Sequence, residues 1–110
     1  AAIMTIREGV TSGAVDKAAN DVLERHGVRQ WHYHRTGYMV GISDPSSWAL
    51  GHIGALRQDD PMVLRENMTF HLPMVLFQPG VAGAGLSETV RVTRTGAEVL
   101  TNYRKELISL

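Results

Sequence analysis

The sequence predicts an α+β fold, with a long amphipathic helix packed on one face of an antiparallel sheet. Three observations carry that expectation. Apolar residues recur at three- and four-residue spacing over residues 15–26. Residues 68–77 alternate in polarity as a half-buried strand does. Two shorter extended runs, 88–93 and 97–101, flank the turn Arg94-Thr95-Gly96. The chain has 110 residues, 44% of them hydrophobic, enough for one domain or part of one with a modest core.

Taken in order, Ala1-Ala2-Ile3-Met4-Thr5-Ile6-Arg7-Glu8 reads as a helix joined midway. It lacks the basic end and apolar stretch of a signal peptide, and the chain is expected to be a fragment. Gly9-Val10-Thr11-Ser12 turns into a helix, with Thr11 or Ser12 as N-cap. Val15, Ala18, Ala19, Val22, Leu23 and His26 form its apolar stripe. Asp16, Lys17, Asn20, Asp21 and Glu24 are expected elsewhere on the surface, and Gly27 closes the helix in a left-handed conformation. Residues 31–42 are aromatic and β-branched enough for extended structure, broken at Gly37.

Residues 43–54 read as a loop holding Asp44-Pro45, Trp48 and two glycines. Asp59-Asp60-Pro61 opens a turn, and Met62-Val63-Leu64 is expected as a helical turn. In the strand over 68–77, Met68, Phe70 and Leu72 share one face, Thr69 and His71 the other. Pro73 implies a bulge or an edge. Residues 78–85 read as a glycine-rich loop able to approach a ligand or a neighbouring chain. Val90 and Val92 point inward on the strand over 88–93. Residues 102–110 are amphipathic and carry no firm assignment.

Eleven basic residues balance eleven acidic ones. Without a cationic excess to neutralise phosphates, a nucleic-acid partner is not expected. No apolar run approaches the roughly 20 residues that span a bilayer, so no membrane partner is expected either. The absence of cysteine excludes disulfides, thiolate metal sites and a cysteine nucleophile, and fits a reducing, cytoplasmic setting.

Several side chains are candidates for chemistry. Glu88, beside inward valines, is expected to be partly desolvated with a raised pKa. It then serves as general base or nucleophile, or else sits at the surface or pairs with Arg91 or Arg35. His32 and His34 share a face on a strand. That spacing can bind zinc if His71 and Glu88 complete the set. Otherwise His34 donates a hydrogen bond or carries a proton, and His32 is structural. His71 contacts substrate or satisfies backbone. Tyr38 binds an oxyanion or a carboxylate, or is a packed core aromatic. Arg35 forks a carboxylate or is solvated. Trp48 walls a pocket or anchors its loop. His26 suits a helix C-terminus, and His52 is a loop residue.

Four segments in order resemble the C-terminal half of the pita-bread catalytic domain of creatinase, prolidase, aminopeptidase P and methionine aminopeptidase. Ile6-Arg7-Glu8-Gly9-Val10-Thr11 with Val15-Asp16-Lys17-Ala18-Ala19 resembles its "I-x-P-G-V-T…D-x-A-A" segment. His34 to Gly41 resembles its H-x-x-G-H-x-x-G turn, with Tyr38 at the metal-binding histidine. Glu66-Asn67-Met68-Thr69-Phe70 resembles "x-G-M-x-F". Residues 90–101 resemble the closing "V-x-V-T-x-x-G-x-E-x-L-T".

The resemblance implies a curved antiparallel sheet and, for metal-dependent members, two aspartates, a histidine and two glutamates. The first glutamate falls between Leu72 and Pro73, where the chain is one residue short, and the second at Ser87. The run Gly37-Tyr38-Met39-Val40-Gly41-Ile42, then Pro45 and Trp48, then Met68-Thr69-Phe70-His71-Leu72 and Ser87-Glu88-Thr89, most resembles the metal-free ectoine-hydrolase branch. The expectation is therefore a C–N hydrolase without cofactor, acting on a small polar amino-acid derivative such as an ectoine-like amidine or an N-acyl amino acid. In it Glu88 and His34 are catalytic, and Tyr38, Arg35, His71 and Trp48 contact substrate. This chain alone is expected to be inactive and the intact protein to be a homodimer. The alternatives are a metal-dependent Xaa-Pro aminopeptidase or prolidase with two ions such as Mn, Co or Zn, and a non-catalytic module of the same fold.

Overall fold

The computed structural model describes residues 1–42 and 49–106. It holds α1 (Ala2–Thr5), α2 (Ser12–Arg25), a single 3-10 turn (Arg29–Trp31), and strands β1 (Gly37–Met39), β2 (Ala55–Leu56), β3 (Thr69–Gln78), β4 (Ala82–Val92) and β5 (Ala97–Val99). The strands form one antiparallel sheet in the order β2-β1-β3-β4-β5. The expected α+β class and helix-on-sheet arrangement are what the chain adopts.

Helix α2 starts where the sequence puts it. Thr11 is the N-cap, its Oγ1 accepting from Ala14 N–H at 3.3 Å. Gly27, at φ +66°, takes the left-handed turn after the last residues of the helix. The buried face is Ser12, Val15, Asp16 and Ala19, rotated from the predicted stripe. Val15 and Ala19 meet Ile6, Leu56, Leu64, Phe70, Leu72, Val90 and Val92 in a single core between helix and sheet.

Asp16 corrects the expectation of a surface carboxylate: only 4% exposed, it accepts from Thr36 Oγ1 (2.7 Å), Thr36 N–H (3.3 Å) and Asn20 Nδ2 (2.8 Å). Those three donors replace the water it gives up and fasten α2 to the chain leading into β1.

Elsewhere the differences have local causes. Strand β1 begins at Gly37 instead of breaking there, because a Cβ at that position would lie 2.8 Å from the His71 carbonyl oxygen. Residues 62–64 are extended: Val63 bridges Thr11, and Leu64 N–H donates to Val10 O at 2.8 Å. The predicted loop over 78–85 is mostly strand. Its turn is confined to residues 79–81, with Gly80 at φ +74°. Gly83 and Gly85 lie in β4, opposite Phe77 and Val75, whose side chains cover the space a Cβ would take.

Pairing of β3 with β4 runs unbroken from Thr69↔Arg91 to Gln78↔Ala82, so Pro73 causes no bulge. It sits past the end of β1, where β3 has become the sheet edge. Strand β2 carries too few residues for any alternation to show.

Candidate functional site

Residues opposite each other in an antiparallel pair project from the same face. Met39, Phe70, Leu72, Glu88, Val90 and Val92 therefore belong to the face that α2 covers. Tyr38, His71 and Thr89 form a row across three strands on the other face, by the pairings Tyr38↔His71 and His71↔Thr89. All three are half-buried. The Tyr38 and His71 rings are 5.5 Å apart between centroids and tilted by 58°. His71 Nδ1 is 3.3 Å from Thr89 Oγ1.

Arg35 joins the row from the segment before β1. Its guanidinium carbon stands 5.3 Å from the Tyr38 ring centroid, a cation–π contact. Its path depends on Gly51: a Cβ there would collide with the guanidinium. The arrangement thus gathers a phenol, an imidazole and a guanidinium on one half-exposed surface. Such groups donate hydrogen bonds to an oxyanion or carboxylate and carry protons.

The other predicted site residues go elsewhere. His32 and His34 do not share a face, because the chain there is a 3-10 turn and a bend, not a strand. His32 is 3% exposed, with Nδ1 3.1 Å from the Val75 carbonyl oxygen, and His34 is exposed. Trp48 lies outside the described residues.

Glu88 is 5% exposed on the helix-covered side of β4, away from the Tyr38–His71 row. Its carboxylate pairs with Lys105 Nζ at 2.5 Å and accepts from Thr101 Oγ1. Burial pushes its pKa up, but the Lys105 and Thr101 hydrogen bonds and the Lys105 charge outweigh burial and hold it below the usual value. The expected raised pKa is corrected accordingly, since desolvation acts here together with an ammonium partner.

Sequence reasoning missed Thr89, Thr101 and Lys105. Alternation could have found Thr89: if Val90 and Val92 point inward, so does Glu88, and Thr89 points out beside His71. Thr101 ends the run 97–101, which the sequence offers only as a return strand, and Lys105 lies in the stretch over 102–110 that carries no firm assignment.

The chain matches a model of metallopeptidase family M24 over residues 1–94. In structure it is similar to dipeptidase PepE from Mycobacterium ulcerans, with a TM-score of 0.85 and 30% identity over 98% of this chain and 28% of that one. It is likewise similar to an Xaa-Pro dipeptidase from Bacillus anthracis, with a TM-score of 0.85 and 28% identity over 99% and 29%. In sequence it is 26% identical over 107 residues to an Xaa-Pro dipeptidase of Pyrococcus horikoshii, covering 97% of this chain and 29% of that protein. The chain thus spans under a third of the length of these relatives.

These matches correct the expectation of no cofactor, because the family is one of metallopeptidases and the relatives named here are dipeptidases. The donor set of this segment does not fit a metal by itself. Among the described residues no three His, Asp or Glu side chains converge, and Tyr38 stands where the resemblance places an imidazole. A bound metal would need further ligands, beyond the described residues. With its family model matched over residues 1–94 and its sheet and helices laid out as in PepE, the chain belongs to metallopeptidase family M24.

Proposed function

We propose that this chain forms part of a C–N hydrolase that cleaves short peptides, of the dipeptidase and Xaa-Pro dipeptidase kind, and that the open face of its sheet is one wall of the substrate site. Membership of a metallopeptidase family, together with relatives named as dipeptidases, supports this reading over an ectoine-like substrate and favours metal dependence. The observation that carries the site is the Tyr38–His71–Thr89 row with Arg35 laid over Tyr38.

In this proposal the Tyr38 hydroxyl donates a hydrogen bond to the oxygen that gains charge as the peptide carbon is attacked. His71 carries a proton at the same wall. Arg35 takes the peptide's terminal carboxylate in a two-pronged contact. His34, exposed on the same leading segment, serves as a proton carrier at the rim. Glu88 acts from the far face and does not touch substrate. No step is assigned to a metal, whose ligands this segment does not assemble. The homodimer implied by the resemblance is proposed to pair through the exposed β3–β4 tip, where Phe77 and Val81 face water.

The test is hydrolysis of Xaa-Pro and other dipeptides by the full-length protein, before and after chelation and re-addition of Mn²⁺, Co²⁺ or Zn²⁺. We expect dipeptide turnover that chelation abolishes and a divalent ion restores. Absence of turnover on every dipeptide, with metal bound, overturns the reading and leaves a binding module of this fold.

A further inference from the structure

We infer that Thr101 is a positioning residue for the Tyr38–His71–Thr89 row, acting from outside it; the inference rests on the reading of that row as the substrate wall. Strand β5 pairs with β4 only over Val90–Val92. Beyond that, the chain after β5 takes over as the partner of β4, largely with side chains. Leu100 N–H donates to the Thr89 carbonyl at 2.8 Å. Thr89 N–H donates to Thr101 Oγ1 at 3.2 Å. Tyr103 Oη donates to the Ser87 carbonyl at 2.7 Å.

The Thr101 hydroxyl is committed on both sides. It has one hydrogen, which goes to the Glu88 carboxylate, a group that only accepts when ionised. Its lone pair takes the Thr89 peptide. Lys105 fixes the second Glu88 oxygen. The Thr89 peptide is thereby pinned from the helix-covered side, while the Thr89 side chain on the open side reaches His71 Nδ1.

A continuous run of contacts, Lys105 to Glu88 to Thr101 to Thr89 to His71, crosses the sheet. It uses the buried carboxylate to orient an imidazole that the carboxylate itself cannot touch. Contacts of this kind tune the ring that meets the reacting atoms without meeting them. Removing the Thr101 hydroxyl strips Thr89 N–H and Glu88 of a partner together, which loosens a side chain that meets His71 Nδ1.

The experiment compares Thr101→Val, Thr101→Ser, Thr89→Val and the Thr101→Val/Thr89→Val double variant in the full-length protein. Two readouts are followed: the ¹⁵N resonances of the His71 ring and the separate kcat and KM for dipeptide hydrolysis. Thr101→Val is expected to move the His71 ring resonances and to lower kcat by about tenfold with KM little changed, within the hundredfold that a misplacement of ~1 Å costs. Thr101→Ser restores both. Thr89→Val gives the same ring change, and adding Thr101→Val to it produces no further one, the non-additivity of residues acting in series.

Unchanged ring resonances in Thr101→Val, or equal and additive shifts from the two sites, overturn the inference. Should Thr101→Val fail to fold, Thr101→Ala takes its place, and an unmoved His71 ring in that variant overturns the inference. Because the ring is read without turnover, a protein that hydrolyses no dipeptide sinks the proposed function and leaves the positioning to be judged on its own.

Discussion

On the helix-covered side of β3 and β4 stand Phe70, Leu72, Val90 and Val92, none more than 3% exposed. One residue along each strand, His71 and Thr89 stand half-buried on the other side, in register with Tyr38. The same strands thus supply two surfaces of opposite chemistry, sorted only by the two-residue period of the backbone. The covered side shows what burial demands: apolar side chains, and for Glu88 a cationic partner and a hydroxyl. The open side keeps a phenol, an imidazole and a hydroxyl adjacent and half-buried, the surface proposed above as the substrate wall. A residue's side of the sheet, more than its type, decides whether it joins the core or the half-exposed polar row.

That comparison is broken most directly by Phe70→Ala, the largest effect expected. Phe70 is fully buried at the centre of the helix–sheet core. The substitution should cost about 3–5 kcal/mol in denaturant unfolding of the full-length protein. A loss within ~1 kcal/mol would mean that the covered side is not a close-packed core. Asp16→Ala comes next, at about 1–3 kcal/mol, because Thr36 and Asn20 lose their acceptor inside the fold. Asp16→Asn, which keeps one acceptor oxygen, should recover part of it.

The fold was legible where a period runs long enough to count. The strand over 68–77 and the helix N-cap at Thr11 were read within a residue or two, since each rests on a repeated pattern or a local hydrogen bond. Strand β2 and the bridging residues 62–64 were not legible: two or three residues show no period, and their pairing partners lie far off in sequence. Asp16 was misread because helical spacing ranks residues by polarity and cannot foresee a threonine 20 residues later that would make burial tolerable. For the site, Tyr38 and His71 share a face because β1 happens to register against β3, which no single-strand pattern contains. The burial of Glu88 was legible from the inward valines beside it, whereas the ammonium that lowers its pKa comes from Lys105, in a stretch without a readable period.

Glu88 also sharpens the contrast through pH. Its carboxyl is held below the ordinary value of about 4.3 by Lys105 and Thr101. The folded chain therefore binds that proton less readily than the unfolded one. The pairing contributes stability that is fully present above the unfolded pKa and is lost as pH falls through the lowered folded one. Glu88→Gln should flatten the acid limb of the stability profile, measured as unfolding midpoint against pH from about 6 downward. An acid limb identical to that of the parent would show that the pairing with Lys105 does not persist in solution.

The smallest effect on stability, and the sharpest test of the open side, is at Arg35. Its guanidinium is exposed and touches the Tyr38 ring, a contact of about 0.5–1 kcal/mol in such a setting. Arg35→Ala should leave unfolding nearly where it was while raising KM for dipeptides several-fold, if the guanidinium holds the peptide carboxylate. Gly51→Ala separates contact from placement, because it keeps the guanidinium and denies it the space it occupies. Both variants should then share one kinetic defect, with Arg35→Lys intermediate, since an ammonium keeps the charge and loses the fork. If Gly51→Ala binds dipeptides as the parent does, the position of Arg35 over Tyr38 is a matter of packing. The substrate's carboxylate must then be met by another part of the wall.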